Sequence, residues 1–299
     1  MTVSFGVLLL QNRALSEVTA WAQRFDEAGA DSVWVADHLF YPYGPDEPWL
    51  DPWITLASIA ERTDDCRIGP LVTTFLLQSP VGLARRAQTL DLLSGGRLDL
   101  GIGAGGSPLD RGFTGIEDRS HRDLVDRLDD GLDVLATALR GDRLAVPPTP
   151  TIAGRQAPAD VILAVAEHAP SVPPIVVGGQ SRAVLDVAAR RADRWNGAGA
   201  GVWGPGGLEG LRRASGYLDE RCALHGRDPR SVTRSVILDL TPETSAATPA
   251  ELGDVIGNVA ALGFREFIAF GWGDGIVDRP TERLLDFVGH DLQDVRQSL

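Results

Sequence analysis

TLDLLSGGRLDLGIGAGG, residues 89–106, reads as the end of a helix, a tight glycine turn, a strand and then a glycine-rich strand exit. Open α/β sheets and barrels place their sites at such strand ends. Glycines without a Cβ let a planar ring or a phosphate approach the main chain there. A second stretch, PIVVGGQSRAVLDVAARRADRWN at 174–196, repeats the order: a strand, Gly178-Gly179-Gln180-Ser181, an amphipathic helix and the next strand. Helix N–H groups and the positive end of the helix dipole then lie where an anion would be held.

Outward from these stretches, apolar runs of strand length alternate with helical patterns nearly end to end, which points to repeated βα units and a parallel sheet. Eight strands are expected, over 3–10, 32–36, 67–73, 98–102, 174–177, 194–196, 233–238 and 266–270. Helices are expected over 16–28, 53–63, 81–93, 121–139, 181–192, 207–225, 249–262 and 282–292, with Gly29 and Gly263 as stops. Eight units in 299 residues suit a (β/α)8 TIM barrel of one domain better than a doubly wound sheet. The rhythm breaks once, after the fourth βα unit, where the Pro-rich stretch 141–173 reads as an insertion across one face. Glycine-rich 197–210 reads as a mobile loop at the rim that carries the other strand exits.

Composition narrows the function. The formal net charge is −13, which argues against nucleic acid and anionic membranes as partners. No apolar run is long enough to span a bilayer, and the N-terminal stretch lacks a basic segment before its apolar run, so a cytoplasmic protein is expected. Cys66 and Cys222 form no CxxC or Cys/His pattern, so neither a disulfide framework nor a metal site is indicated. All 28 basic residues are arginine, which removes Schiff-base and Walker-type lysine chemistry.

Several constellations carry candidate chemistry, each with a plainer alternative. Gly101-x-Gly103-x-x-Gly106 matches the dinucleotide fingerprint in form, but it follows a fourth strand, Pro108 and Gly112 come after it, and no acidic residue closes a second strand at the expected distance. A merely tight strand exit is the alternative. Asp37-His38 follows the apolar run 32–36, where a histidine can exchange a proton near neutral pH or simply bond a neighbouring loop, and where Asp37 can cap a turn. Gly178-Gly179-Gln180-Ser181 with Arg182 is the best anion site, or an ordinary serine N-cap. Trp34, Trp49, Trp53, Trp195, Trp203 and Trp272 either wall an aromatic ligand or pack the core. Arg85-Arg86 and the Asp/Arg pattern over 118–133 read as solvated helix faces.

Four ordered motifs, SVWVADHL at 32–39, RIGPLVTTF at 67–75, TLDLLSGGRLDLGIGAG at 89–105 and PPIVVGGQSRAVLDVAARRADRWN at 173–196, resemble the luciferase-like monooxygenase superfamily over nearly the whole chain. The resemblance implies a (β/α)8 barrel that binds a flavin or the deazaflavin coenzyme F-420 at its C-terminal rim. An Asp-His pair after the second strand looks like the F-420-dependent branch, whereas flavin mononucleotide (FMN) monooxygenases more often show Glu-His. Carried onto this chain, the resemblance makes His38 the acid/base and puts Asp37 against the ring system. Leu71-Val72 would be the bulged segment with a non-prolyl cis peptide under the ring, and Thr73 would reach the ring edge through its backbone. Ala104 and Gly105 would line the cofactor. Gly178, Gly179, Gln180, Gly197 and Ala198 would hold its phosphate. A homodimer is implied by the family alone.

The chain departs from the family's sugar-phosphate dehydrogenases in two places. They carry a glutamate where this chain has Gly106, and many other members have a tryptophan there; the phosphate-binding lysines have no counterpart. The expected substrate is therefore a small uncharged or weakly polar organic molecule held between rim tryptophans. The expected activity is hydride transfer between F-420 and that substrate. The alternatives are an FMN-dependent monooxygenase using O2 and a partner reductase, and a flavin-binding barrel without catalysis.

Overall fold

The computed structural model describes residues 3–42, 44–114, 119–145, 160–164, 172–198, 205–240, 248–271 and 279–298. Its parallel strands are β1 (Ser4–Leu9), β2 (Ser32–Val35), β3 (Arg67–Pro70, resumed at Thr73–Thr74), β4 (Leu100–Gly103), β5 (Ile175–Gly178), β6 (Arg194–Ala198), β7 (Thr233–Leu240) and β8 (Glu266–Gly271). Hydrogen-bonded neighbours run β3-β2-β1-β8-β7-β6-β5-β4. The first half of β3 pairs with β2, and its resumed half pairs Thr73 with Ile102 and Thr74 with Gly103 of β4, which closes the ring. An α/β TIM-barrel-like fold results, as the eightfold rhythm anticipated.

The helices are α1 (Leu15–Glu27), α2 (Pro52–Ala60), α3 (Pro80–Leu93), α4 (Pro108–Gly112), α5 (His121–Leu139), α6 (Arg182–Arg191), α7 (Pro205–Leu224), α8 (Pro249–Ala260), α9 (Arg279–Asp286) and α10 (Leu292–Ser298). A single π-helical turn, Phe287–Asp291, joins the last two. Several starts share one device. Asp51, Ser79 and Ser107 each accept a backbone N–H three residues on, from Ile54 (2.9 Å), Gly82 (3.0 Å) and Asp110 (3.2 Å), with proline next to the cap. Proline fits the first helical position because it has no N–H to satisfy and its φ is already helical. Helices α2 and α3 therefore begin at the proline, one residue before the expected starts at 53 and 81.

Outward side chains such as Phe5, Val33, Ile68 and Ile102 pack under the helices in the main core, while Leu8, Trp34, Leu71, Val176, Ile268 and Phe270 fill the barrel's interior. The bottom of the barrel is charged. Asp99, fully buried, meets Arg67 at 2.6 Å and Arg194 at 2.5 Å, and Arg194 meets Glu266 at 3.1 Å. Burial pushes the Glu266 carboxyl up, against the pull of Arg194.

Within 141–173 the described part includes Arg143–Ala145 paired antiparallel with Asp160–Ile162, a hairpin outside the barrel sheet. Three expectations need correction. The expected loop over 197–210 is a strand end followed by α7, so Gly207 and Gly210 are helical, while 199–204 lie outside the described residues. The acidic face of α5 is not merely solvated: Asp129 bonds Arg190 at 2.7 Å and Arg191 at 3.3 Å on α6. Arg86 likewise is spent on the Gln78 side chain and Arg85 on the Ala164 carbonyl. Both cysteines are buried free thiols, and burial with Asp26 nearby pushes Cys66 up to about 12. Among the described residues no helix is long and apolar enough to cross a membrane, and no His/Cys/Asp/Glu group is arranged to hold a metal ion.

Candidate active site

At the C-terminal mouth of the barrel lies a cavity of about 300 Å³ whose walls come from the exits of β2 to β7. Its lining includes Asp37, His38, Leu71, Val72, Ala104, Gly105, Gly178 and Gly179 from the sequence reading, together with Thr74, Gly106, Ser107, Asp110, Asn196 and Ile237. The β2 exit is fixed by Gln11, whose side chain donates to the Ala36 carbonyl (2.8 Å) and accepts from the Ala36 N–H (3.1 Å), as a neighbouring strand would. His38 is placed next, held also by Trp49, whose indole N–H donates to the His38 carbonyl at 3.0 Å.

The His38 ring is oriented by a residue the sequence reading missed. Its Nδ1 lies 2.7 Å from Asp110 Oδ2, and Asp110 Oδ1 accepts the Leu39 N–H at 3.1 Å. Burial works to raise the Asp110 carboxyl. It is outweighed by the His38 hydrogen bond and charge, the Leu39 N–H and the Ser107 hydroxyl, which together hold the group below the usual carboxylate range. With Nδ1 engaged by a carboxylate, a proton exchanged with a ligand would pass through Nε2. His38 thus bonds a neighbouring segment, the plainer of its two readings, and also lines the cavity.

Asp37 is buried and its carboxylate accepts the Thr73 hydroxyl, tying the β2 exit to the resumed half of β3. Burial pushes this carboxyl up, with the Thr73 bond opposing. The peptide between Leu71 and Val72 is cis, as the resemblance implied. The Val72 side chain then occupies the space left by two glycines. A Cβ on Gly103 would come 2.7 Å from Val72 Cγ2, and one on Gly178 would come 2.9 Å from Cγ1. Two glycines of the strand exits therefore serve packing first, and Gly101 faces the Pro70 carbonyl, 2.0 Å from where its Cβ would be.

Bare backbone open to a ligand begins further on. A Cβ on Gly106 would meet nothing within 4 Å, whereas one on Gly105, at φ +90°, would meet the Thr74 hydroxyl and Leu76 Cβ at 2.6 and 2.7 Å. Beside them the Thr74 hydroxyl is buried with no hydrogen-bond partner, an orphan that a polar ligand atom would satisfy. These features fit a planar, polar-edged group lying across the mouth. Among the expected cofactor contacts, Thr73, Gln180, Gly197 and Ala198 lie outside the cavity lining. Thr73 is buried behind Asp37, Gln180 is exposed, and a Cβ on Gly197 would meet Trp195 and Leu211 at 3.2 and 3.3 Å.

Ser181 is the N-cap of α6, accepting from Val184 N–H at 3.3 Å, and it also meets His121 Nε2 at 2.9 Å. Arg182 stacks over Tyr217 at 5.2 Å, so its cation points to an aromatic ring. The tryptophans are mostly structural: Trp34 and Trp195 are fully buried, with indole N–H groups spent on Ser32 (2.8 Å) and the Gly179 carbonyl (2.7 Å), and Trp53 is buried too. Trp49 stays at the rim against Tyr41 at 5.3 Å, while Trp203 and Trp272 lie outside the described residues. A dinucleotide site of the doubly wound type is excluded by the closed barrel, and the glycine exit leads into α4 through the Ser107 cap.

A model of the luciferase-like monooxygenase family matches residues 2–266. A 4-hydroxyprotoasukamycin monooxygenase of Streptomyces nodosus subsp. asukaensis is 34% identical over 148 residues, 47% of this chain and 38% of that protein. An F-420-dependent glucose-6-phosphate dehydrogenase of Amycolatopsis mediterranei is 40% identical over 93 residues, 30% of this chain and 27% of that one. The matched stretches cover only 27% to 39% of these and the other first-ranked curated relatives. In fold, the chain is similar to an F-420-dependent secondary alcohol dehydrogenase solved with an F-420-acetone adduct, at TM-score 0.77 and 16% identity over 97% of this chain and 100% of that one.

Proposed function

This chain belongs to the luciferase-like monooxygenase family, and from that premise we propose that it is an oxidoreductase moving a hydride between C5 of the deazaflavin coenzyme F-420 and a small organic substrate. The observation that carries the reading is His38 in the wall of the cavity at the barrel mouth, with Nδ1 bound to Asp110 at 2.7 Å. The F-420-dependent relatives support the choice of cofactor. The fit rests on the Thr74 hydroxyl and the open backbone of Gly106, with Leu71, Val72, Gly178 and Gly179 also lining the cavity.

Bound F-420 supplies the hydride acceptor or donor, and the chain supplies position, a dry site and a proton path. In the oxidising direction a substrate C–H bond gives up its hydride and the adjoining O–H gives its proton to His38 Nε2. In the reducing direction His38 returns that proton to the oxygen. Asp110 keeps the imidazole in the tautomer with Nδ1 protonated, and so leaves Nε2 as the base. Asp37, held by Thr73, fixes the strand break under the site.

His38→Ala should lower turnover roughly a hundredfold or more while cofactor affinity changes little, because a positioned acid/base contributes about that much. Unchanged turnover would remove His38 from the mechanism. A second reading, an FMN-dependent monooxygenase using O2 and a partner reductase, is favoured by the Streptomyces relative. Oxygen uptake during turnover separates the two. The homodimer is retained as a proposal on family grounds, to be checked by sedimentation.

A further inference from the structure

Side chains alternate along β6. Trp195 packs outward in the main core, so Arg194 and Asn196 face the barrel's interior, Arg194 in the ionic layer at the bottom and Asn196 in the wall of the cavity above it. A buried amide is unfavourable unless its polar atoms are matched. Asn196 is 6% exposed, and its Nδ2 donates to Ser235 Oγ at 2.8 Å. Among the described residues nothing donates to its Oδ1, and the cavity is the open space beside it.

The direction of that bond is set from across the sheet. Asn196, Ser235 and Glu266 are partners in register over β6, β7 and β8. Val236 and Phe267 belong to the outward core, so Ser235 and Glu266, one position before them, point inward as Asn196 does. Ser235 is fully buried, and its hydroxyl also bonds the Glu266 carboxyl, which Arg194 meets at 3.1 Å. A carboxylate only accepts, whereas a hydroxyl donates once and accepts besides. Ser235 therefore gives its proton to Glu266 and takes the Asn196 N–H on its oxygen. The amide is fixed with its carbonyl oxygen left for the cavity.

We propose that Asn196 is a ligand-binding residue whose Oδ1 accepts the imide N–H of a flavin-type ring, with Ser235 and Glu266 as positioning residues that hold the amide in that orientation. This rests on the proposed cofactor site. F-420 and FMN share the imide, in which one N–H stands between two carbonyls. The orphaned Thr74 hydroxyl in the same lining is a donor of the kind those carbonyls need. An acceptor and a donor left over by the protein thus match in kind the ring edge that carries both.

The test reads binding without turnover. Kd is measured by fluorescence for F-420 and FMN, and for riboflavin and 5-deazariboflavin with and without a methyl group on the imide nitrogen. Native protein should bind the methylated rings at least about tenfold more weakly than their parents, because the methyl removes the donor and leaves Oδ1 unpaired. Asn196→Ala should raise the Kd of the cofactor that binds about five- to twentyfold and bring methylated and parent rings within about twofold of each other. Ser235→Ala leaves the amide in place but free to turn, so the Kd should rise about two- to fivefold with part of the methyl preference lost. A residue that merely packs the barrel would lower the melting temperature and leave that preference intact. Equal binding of methylated and parent rings by the native protein, or a methyl preference fully kept in Asn196→Ala, would overturn the role of Asn196 even where F-420 or FMN binds. Failure of every ring to bind native protein would sink the cofactor reading and this one with it. A methyl preference lost in Asn196→Ala, with oxygen uptake during turnover, would leave Asn196 in place and overturn the choice of F-420 chemistry alone.

Discussion

At the scale of single residues the site turns on a hydrogen bond between β2's exit and α4. Asp110→Asn should cut turnover roughly 10- to 100-fold, because an amide no longer fixes the imidazole tautomer by charge. Asp110→Glu should recover part of it, and a KM little changed in both would separate positioning from substrate binding. The sign of the pH effect follows from the direction of the shift. Asp110 is held below its ordinary value, so its contribution to stability is complete above about pH 4 and is lost as pH falls through the folded value. Thermal melting from pH 7 down to pH 3 should therefore show a flatter acid limb in Asp110→Asn than in the native protein. A steeper limb would mean that the carboxyl is not stabilised by His38. The sequence made His38 visible because a histidine after an apolar run is conspicuous. Asp110 was hidden because it stands 72 positions away in a segment that reads as a loop until the Ser107-Pro108 cap is noticed.

At the scale of elements, the resumed strand β3 and the two glycine exits form one packed unit around Val72. Gly103→Ala places a Cβ where Val72 Cγ2 already lies, 2.7 Å away, and overpacking of this kind costs about 1–3 kcal/mol. Val72→Ala would open the space, so the double variant Gly103→Ala/Val72→Ala should recover much of the loss seen in Gly103→Ala alone. Additive losses in a double-mutant cycle would show that the two positions do not meet. The glycines advertised bare backbone in the sequence, and the cavity lies where they do. Their division of labour did not follow, because Gly103 and Gly178 differ from Gly106 only in what stands opposite, which is a matter of three-dimensional packing. Strand positions were legible to within two residues since most barrel strands are largely apolar runs bounded by turn residues. The short hairpin at Arg143–Ala145 and Asp160–Ile162 has strands of three residues each, among prolines, so no periodicity announced it.

At the scale of the whole molecule the barrel holds buried ions at its bottom and the cavity at its top, which would divide stability from the proposed chemistry along its axis. Asp99 pairs with two arginines, and Asp99→Ala would leave Arg67 and Arg194 facing each other with Glu266 alone between them. Breaking such a buried network costs about 3–5 kcal/mol, so a clear fall in melting temperature is expected with cofactor affinity unchanged in the fraction that stays folded. Loss of cofactor binding at full stability would contradict that division. A deazaflavin site at the top of the barrel is tested by titrating purified apoprotein with F-420 and, separately, with FMN while following cofactor fluorescence. Micromolar or tighter binding of F-420, with FMN bound far more weakly, is the expected result. Preference for FMN, or no binding of either, would contradict it.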